Sequence, residues 1–229
     1  MNCLAIDTAT ETLGLCLRTE TATLSISLRL GFNHCETLIP RVERLCVEGE
    51  IKASDIHLIV VSLGPGSFTG IRIGLAAAKG LALGACCDIV GVPSLDAHAW
   101  RFSGYPYAVV PVIDARKNRF YSAVYRLGKR DSQFYDLGSV ALIERLLPAG
   151  KYGEPILLTG PDAPKISSML AGHSRSKDFT LDPNHLSTDP YALLNCGMTI
   201  YKEKGCGSQT LIPLYLRKSE AELNLNRRE

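Results

Sequence analysis

The sequence lacks the features that mark several classes of protein. Its 25 lysines and arginines stand against 23 aspartates and glutamates in 229 residues, so no general basic field attracts nucleic acid. The eight cysteines include no Cys-x-x-Cys pair, and no two of the five histidines stand three or four residues apart. We therefore expect neither a disulfide framework nor a metal site built by this chain.

Long uncharged apolar segments are also missing. The longest candidate, residues 70–87, carries Arg72 and Lys79 and is rich in alanine and glycine, which favours a closely packed helix of a soluble protein. The chain enters its first predicted strand at Asn2 without a leader-like segment. Together with the scattered cysteines, this predicts a reduced cytoplasmic protein that makes no contact with a membrane.

What is present is an order of elements that occurs twice. The first half predicts strands at 3–6, 13–18 and 22–30, a helix at 34–49, a strand at 56–63, a helix at 70–85 and a strand at 89–92. The second half predicts strands at 107–113, 119–126 and 134–140, a helix near 141–149, a strand at 156–159, a helix after Pro164, a strand at 179–182 and a helix at 189–204.

This order predicts an α/β protein in which a duplicated βββαβα unit forms two lobes around a cleft. We place the first lobe at residues 1–102 and the second at 103–229. The C-terminal segment 205–229 could pack back on the first lobe.

Two loops could face a phosphate group in such a cleft. The turn after the first strand combines a carboxylate with hydroxyls, and the loop Gly64–Gly70 joins a buried strand to a helix. The loop has no Lys-Ser/Thr pair of the Walker type, and simple backbone bonding in the turn remains an alternative. The cleft candidates of the first lobe are Asp7, Thr8, Thr10, Gly64, Gly66 and Ser67.

Apolar and small residues recur every third or fourth position on the helices at 34–49 and 70–85. Such stripes allow a partner helix to approach closely, although packing on the chain's own sheet would use them equally well. The interface candidates, which rest on these stripes together with the family resemblance given below, are Leu38, Val42, Leu45, Gly70, Gly74, Ala77 and Leu81.

Basic and aromatic residues alternate after the strand at 107–113. RNA contact is one interpretation, but strands favour aromatic residues in any case, so a solvated hairpin with half-buried rings is the simpler one. The residues concerned are Arg116, Lys117, Arg119, Phe120, Tyr121 and Tyr125.

These motifs together resemble the bacterial TsaB (YeaZ) family, a subunit of the machinery that makes threonylcarbamoyladenosine in tRNA. The most specific part is the Gly-Pro-Gly-Ser-Phe-Thr-Gly loop at 64–70. The resemblance also covers residues 5–10, 34–36, 72–74, 78–82, 91–95 and 113–116, with Pro213, Tyr215, Leu216 and Arg217 near the end. Cys35 stands where the family usually has serine.

The resemblance implies the ASKHA fold of sugar kinases, actin and chaperone ATPases, and a relation to the catalytic paralogue TsaD. That paralogue binds its metal through a His-x-x-x-His pattern, for which this chain has Ser94 and His98. Ala9 stands where ASKHA kinases commonly have glycine in their first phosphate loop. The resemblance thus implies no catalytic residue, no metal ligand and no cofactor belonging to this chain.

The implied function is that of a non-catalytic subunit, which supports transfer of a threonylcarbamoyl group to adenosine 37 of tRNAs reading codons that begin with A. The implied partners are a TsaD-like paralogue, a TsaE-like ATPase, a second copy of the chain in isolation, and tRNA through the complex. ATP and Mg²⁺ are expected for the assembled complex.

The rival interpretation is an enzyme in its own right. In that case Asp7, the loop Gly64–Gly70 and Asp114 would serve an ASKHA-type phosphotransferase or ATPase.

Overall fold

The computed structural model describes residues 1–31, 33–150, 153–184, 189–205 and 211–217. The strands are β1 Cys3–Asp7, β2 Thr12–Arg18, β3 Thr23–Arg29, β4 Leu58–Ser62, β5 Asp88–Val92, β6 Ala108–Arg116, β7 Arg119–Ser122, β8 Tyr125–Arg126, β9 Lys129–Arg130, β10 Tyr135–Gly138, β11 Ile156–Thr159 and β12 Phe179–Leu181. The α-helices are α1 His34–Glu48, α2 Phe68–Ala85, α3 Ser94–Trp100, α4 Ser139–Leu146, α5 Ala163–Leu170 and α6 Pro190–Lys204. None of the described helices is long and apolar enough to cross a membrane.

Two sheets repeat the same topology. The first has the order β3-β2-β1-β4-β5, and the path of the second is β10-β7-β6-β11-β12. In both, the first three strands of the unit are antiparallel and the last two run parallel to the first strand. The predicted duplicated βββαβα unit is therefore confirmed.

The first sheet is covered on both faces because its central strands are apolar throughout. Leu4 and Ile6 of β1 face the layer of α1 and α2, while the alternate residues Cys3 and Ala5 face α6. Gly197 lets α6 approach this sheet closely, since a methyl group there would lie 2.3 Å from Cγ1 of Val60.

The two lobes exchange their last helices. Helix α3 follows the first sheet in sequence, but Leu95 and Ala99 pack in a core with Val109 and Tyr125 of the second sheet. Helix α6 ends the second unit and packs on the first sheet. The boundary between residues 102 and 103 separates the two repeats in the sequence. In the folded protein, however, α6 of the second repeat packs on the first sheet, and α3 of the first repeat packs on the second sheet.

Three details differ from the sequence predictions. Helix α3 was not predicted, because its seven residues are too few to show a helical period. The strand predicted at 119–126 ends at Ser122, and a short hairpin of β8 and β9 follows. Helix α4 begins at Ser139 and passes into a 3₁₀ turn at Leu147–Ala149.

The part of the C-terminal segment that the structure describes lies on the first lobe. Leu211 packs against the core under α1 and α2, and the backbone N–H of Leu214 donates to the carbonyl oxygen of Leu63 at 2.8 Å. The rest of the segment predicted at 205–229, namely 206–210 and 218–229, lies outside the described residues.

Candidate functional site

The turn after β1 and the glycine loop before α2 lie directly against each other. The N–H of Ser67 donates to the carbonyl oxygen of Ala9 at 2.7 Å, and Oγ1 of Thr8 donates to that of Gly70 at 2.8 Å. A methyl group on Gly66 would lie 2.2 Å from the oxygen of Ala9. The glycine at position 66 therefore allows close contact between the turn and the loop.

Asp7 is enclosed behind this contact and only 2% exposed. Its Oδ1 accepts a hydrogen bond from the N–H of Ala9 at 2.9 Å, and Ser62 bonds to its side chain. Burial raises the pKa of Asp7 above its ordinary value, which these hydrogen bonds only partly oppose. Such a carboxylate is held inside the protein and does not face an open cleft.

The remaining candidates of the first lobe stabilise the same region. Oγ of Ser67 accepts from the N–H of Gly70 at 3.2 Å and caps α2. The carbonyl of Thr10 bonds Nε2 of His34 at 2.8 Å, and the carbonyl of Gly64 accepts from the N–H of Ser94. The carboxyl ends of the strands are thus joined by internal hydrogen bonds, which include a 2.7 Å bond between Ser62 Oγ and Ser94 Oγ.

Asp114 belongs to a separate site in the second lobe. Its Oδ2 lies 2.5 Å from Nζ of Lys165, which also contacts Asp162 at 2.8 Å. An open pocket of about 580 Å³ beside Asp114 is lined by residues of the second lobe alone. Asp7 does not line this pocket.

Most of the interface candidates face inward. Leu38, Val42 and Leu45 are at most 2% exposed and form the core between α1 and the first sheet. Gly70 and Gly74 are covered by Thr8, while Ala77 and Leu81 pack partly against the same core. The five fully buried residues cannot contact a partner, because the most apolar stripe of a helix is the one that covers its own sheet.

The outward surface of the two helices carries other apolar residues. Because α1 and α2 cover the same face of the first sheet, their outward surfaces lie side by side. A methyl group on Gly80 would meet no atom within 4 Å. We call this surface the outer helical face; it comprises Ile39, Val47, Ala76, Gly80 and Leu83, of which Val47 and Leu83 are 76% and 78% exposed.

One cluster beside this face was not found from the sequence. The ring of Tyr215 stacks on that of Phe68 with centroids 4.8 Å apart, and the guanidinium of Arg72 lies 3.8 Å from the Phe68 centroid. Nε of Arg72 donates to the Tyr215 hydroxyl at 2.8 Å. A phenylalanine in an otherwise small-residue loop was the only local signal, since Tyr215 lies far along the chain.

The aromatic residues of the predicted RNA-contact stretch are largely structural. Phe120 and Tyr125 are almost fully buried, and the Tyr125 hydroxyl donates to Oδ1 of Asp96 at 2.5 Å. Arg119 pairs with Asp136 at 2.8 Å, whereas Arg116 and Lys117 are exposed. The rings are therefore structural, although Phe120 and Tyr125 are buried more deeply than the half-buried rings that the sequence predicted.

Comparison with known proteins agrees with this architecture. The model of the family described as TsaD, tRNA N6-adenosine threonylcarbamoyltransferase, matches residues 31–181. The tRNA threonylcarbamoyladenosine biosynthesis protein TsaB of Bacillus subtilis is 32% identical over 226 residues, covering 97% of this chain and 96% of that protein. TsaB of Escherichia coli is 38% identical over 130 residues, covering 55% of each. This chain belongs to the TsaB family.

Structural comparison supports the same fold. A solved structure described as a protein with similarity to peptidase YEAZ, from Pseudomonas aeruginosa, is 25% identical with a TM-score of 0.76, covering 94% of this chain and 99% of that one. The fold of this TsaB-family chain is the ASKHA fold, as the resemblance implied. Its relatives are named for tRNA threonylcarbamoyladenosine biosynthesis.

The two positions that resemblance relates to the paralogue's histidine pair lie on α3 of this TsaB-family chain. Ser94 is buried in its bond to Ser62, and His98 is buried one helical turn further on. Burial, with the guanidinium of Arg101 nearby, lowers the pKa of His98 to about 4. In the described part of the chain, no three His, Cys, Asp or Glu side chains converge on a metal position; His185 lies outside it.

Proposed function

We propose that this chain is a non-catalytic subunit of the complex that transfers a threonylcarbamoyl group to adenosine 37 of tRNAs reading codons that begin with A. The enclosed Asp7 is the observation that carries this proposal. A carboxylate that is to orient a metal ion or activate a nucleophile needs access to its substrate. Here Asp7 is enclosed behind the contact between the turn and the glycine loop.

The chain acts by binding a TsaD-like paralogue through its outer helical face. Exposed leucine and valine beside small residues let a second pair of helices approach closely and bury apolar surface. The cluster of Phe68, Arg72 and Tyr215 extends this face. Arginine and tyrosine are enriched among the residues that contribute most to protein interfaces, and Arg72 is already oriented by its ring contacts.

We expect the outer helical face also to mediate association with a second copy of the chain. A second copy of the chain occupies it in isolation, and the paralogue displaces that copy. A TsaE-like ATPase joins the assembled complex in the cytoplasm, where ATP, Mg²⁺ and tRNA are bound.

The proposal is tested by substitutions that change the outer helical face without disturbing the fold. Gly80→Arg and Leu83→Arg place charge on this face, where both positions are open to solvent. Val140→Arg on α4 is the matched control, because Val140 is 70% exposed in the second lobe. We expect both face variants to lose binding to the TsaD-like paralogue in titration calorimetry, and the control to retain it.

Retained binding by both face variants would reject this interface. Gly74→Arg would not be informative, because any side chain at Gly74 collides with Thr8 inside the protein.

A further inference from the structure

The side chain of Arg72 is held against two aromatic rings beside the outer helical face. Its guanidinium lies 3.8 Å from the ring centroid of Phe68 and 5.7 Å from that of Tyr215. Its Nε donates to the Tyr215 hydroxyl at 2.8 Å, and the two rings stack on each other with centroids 4.8 Å apart. The guanidinium is therefore oriented before any partner binds.

The charge of this oriented arginine has no counterpart in the described part of the chain. Arg72 is exposed, and no described carboxylate forms an ion pair with it, whereas Arg44 on α1 pairs with Glu48 at 2.8 Å. Only the Nε–H is bonded, to Tyr215, so the two terminal nitrogens have no acceptor among the described residues. Two such nitrogens can donate a pair of parallel hydrogen bonds to one acceptor group.

The position of Arg72 places this donor pair at the border of an apolar contact. Ala76 follows Arg72 by four residues on α2, and Gly80 follows Ala76 by four, so all three share one side of the helix. A partner that covers Ala76 and Gly80 therefore withdraws the guanidinium partly from water. A charge withdrawn from water is strongly destabilising unless an opposite charge pairs with it.

The chemistry of the cluster favours a carboxylate as that opposite charge. The planar fork of a guanidinium matches the two oxygens of a carboxylate, and one arginine neutralises one such group. A terminal phosphate would bring a second negative charge, and the next cation of α2, Lys79, lies about 10 Å further along the helix axis. A nucleic-acid backbone is usually bound by several cations together.

We propose that an aspartate or glutamate of the TsaD-like paralogue accepts hydrogen bonds from both terminal nitrogens of Arg72 when the paralogue covers the outer helical face. Phe68 and Tyr215 hold the guanidinium in place, so Tyr215 is a positioning residue. The inference rests on the proposed function, because it takes the paralogue to be the partner at this face.

The first experiment measures binding of the paralogue to the full chain by titration calorimetry. Arg72→Gln should bind roughly tenfold to a hundredfold more weakly. Arg72→Lys should recover only part of the loss, because an ammonium group lacks the planar fork. The matched control is Arg130→Gln, since Arg130 is also exposed and lies 3.9 Å from the ring centroid of Phe134 in the second lobe. The control should bind as the wild type does.

A charge exchange identifies the carboxylate of the partner. Arg72→Glu should lose detectable binding, and it is tested against variants of the paralogue in which single aspartates or glutamates are replaced by arginine. One of these substitutions should restore binding to Arg72→Glu while weakening binding to the wild type. If none of them restores binding, the inference is overturned.

The role of Tyr215 is tested in two backgrounds. Tyr215→Phe should weaken binding to the paralogue in the wild-type background and change it little in the Arg72→Gln background, because the guanidinium that the hydroxyl orients is then absent. Equal losses in both backgrounds would mean that the hydroxyl contacts the partner itself, which would overturn the positioning role.

Unchanged binding of the paralogue by Arg72→Gln overturns the inference. So does binding of inorganic phosphate or ATP to the isolated chain that Arg72→Gln abolishes, and so does weakening that occurs only together with a loss of melting temperature. Leu83→Arg is measured in the same series. Loss of binding with Leu83→Arg but not with Arg72→Gln rejects this inference alone, whereas failure of the wild-type chain to bind the paralogue rejects the proposed function and this inference with it.

Discussion

Single atoms decide how the first turn and α2 fit together. A methyl group on Gly74 would lie 2.2 Å from Oγ1 of Thr8, the atom that donates to the carbonyl of Gly70. Gly80, six residues further along the same helix, has open space at the corresponding point. Gly74 therefore allows the first turn to contact α2, whereas Gly80 leaves the outer surface of the same helix without a side chain.

Alanine substitutions should distinguish these two glycines. Gly74→Ala should lower the free energy of unfolding by about 1–3 kcal/mol, because Thr8 must move and its buried hydrogen bond is lost. Gly80→Ala should raise it by about 0.5–1 kcal/mol, since alanine is the better helix former. Urea unfolding of both variants measures the difference, and equal effects at the two positions would contradict the packing described here.

The burial of Asp7 has a consequence for stability. Because burial raises its pKa in the folded state above the ordinary value of 3.8, ionisation of this group opposes folding. The destabilisation is fully present above the folded-state pKa and disappears as the pH falls through that pKa to below 3.8. Asp7→Asn should therefore be more stable than the wild type at pH 7, with a difference that shrinks in acid.

Thermal unfolding of both proteins between pH 3 and pH 7 measures this difference. If the wild type were more stable than Asp7→Asn at neutral pH, the ionised carboxylate would have to be stabilised by a charged partner, which would contradict this account of Asp7.

Among the elements, the helices show what a sequence pattern can and cannot identify. Periodicity located α1, α2 and α6 closely, because long apolar stripes are unambiguous. The same periodicity assigned Leu38, Val42 and Leu45 to an interface, although a buried stripe and a docking stripe look alike in sequence. The outer helical face sets three large aliphatic residues among small and charged ones, and only the packed structure shows it to be exposed.

The C-terminal segment and α2 are joined by the cluster of Phe68, Arg72 and Tyr215. Tyr215→Ala removes both the ring stack and the hydroxyl bond to Arg72, so we expect a loss of about 1–2 kcal/mol in the free energy of unfolding. It should also weaken binding of the TsaD-like paralogue, because Arg72 is no longer oriented. Titration calorimetry and urea unfolding measure the two effects.

Tyr215→Phe is the matched control, because it keeps the stack and removes only the hydroxyl. It should lie between the wild type and Tyr215→Ala in both measurements. A phenylalanine variant as impaired as the alanine variant would show that the stack contributes little.

For the whole molecule, the repeated order of elements was sufficient to predict two lobes and the duplicated unit. It could not reveal that the lobes exchange α3 and α6, because these contacts join residues far apart in sequence. Leu193 and Leu194 of α6 are fully buried against the first sheet. Nor could the sequence show that Asp7 is buried while Asp114 lines an open pocket, because both depend on how the loops pack.

The helix exchange predicts that neither half of the sequence folds alone. A fragment of residues 1–102 would expose Val60 and Val90, which α6 covers in the whole chain. We expect each fragment to be insoluble by itself, and the two to form a soluble complex when they are produced together. Size-exclusion chromatography of the separate and combined fragments tests this, and a soluble, cooperatively unfolding fragment 1–102 would contradict it.

The central claim is that the chain contributes a binding surface and no catalytic carboxylate. The most direct test is mass spectrometry of nucleosides from total tRNA, in a host whose own copy is replaced by Asp7→Asn or by Leu83→Arg. We predict that threonylcarbamoyladenosine is retained with Asp7→Asn and lost with Leu83→Arg. Loss with Asp7→Asn and retention with Leu83→Arg, both proteins being folded, would contradict the account.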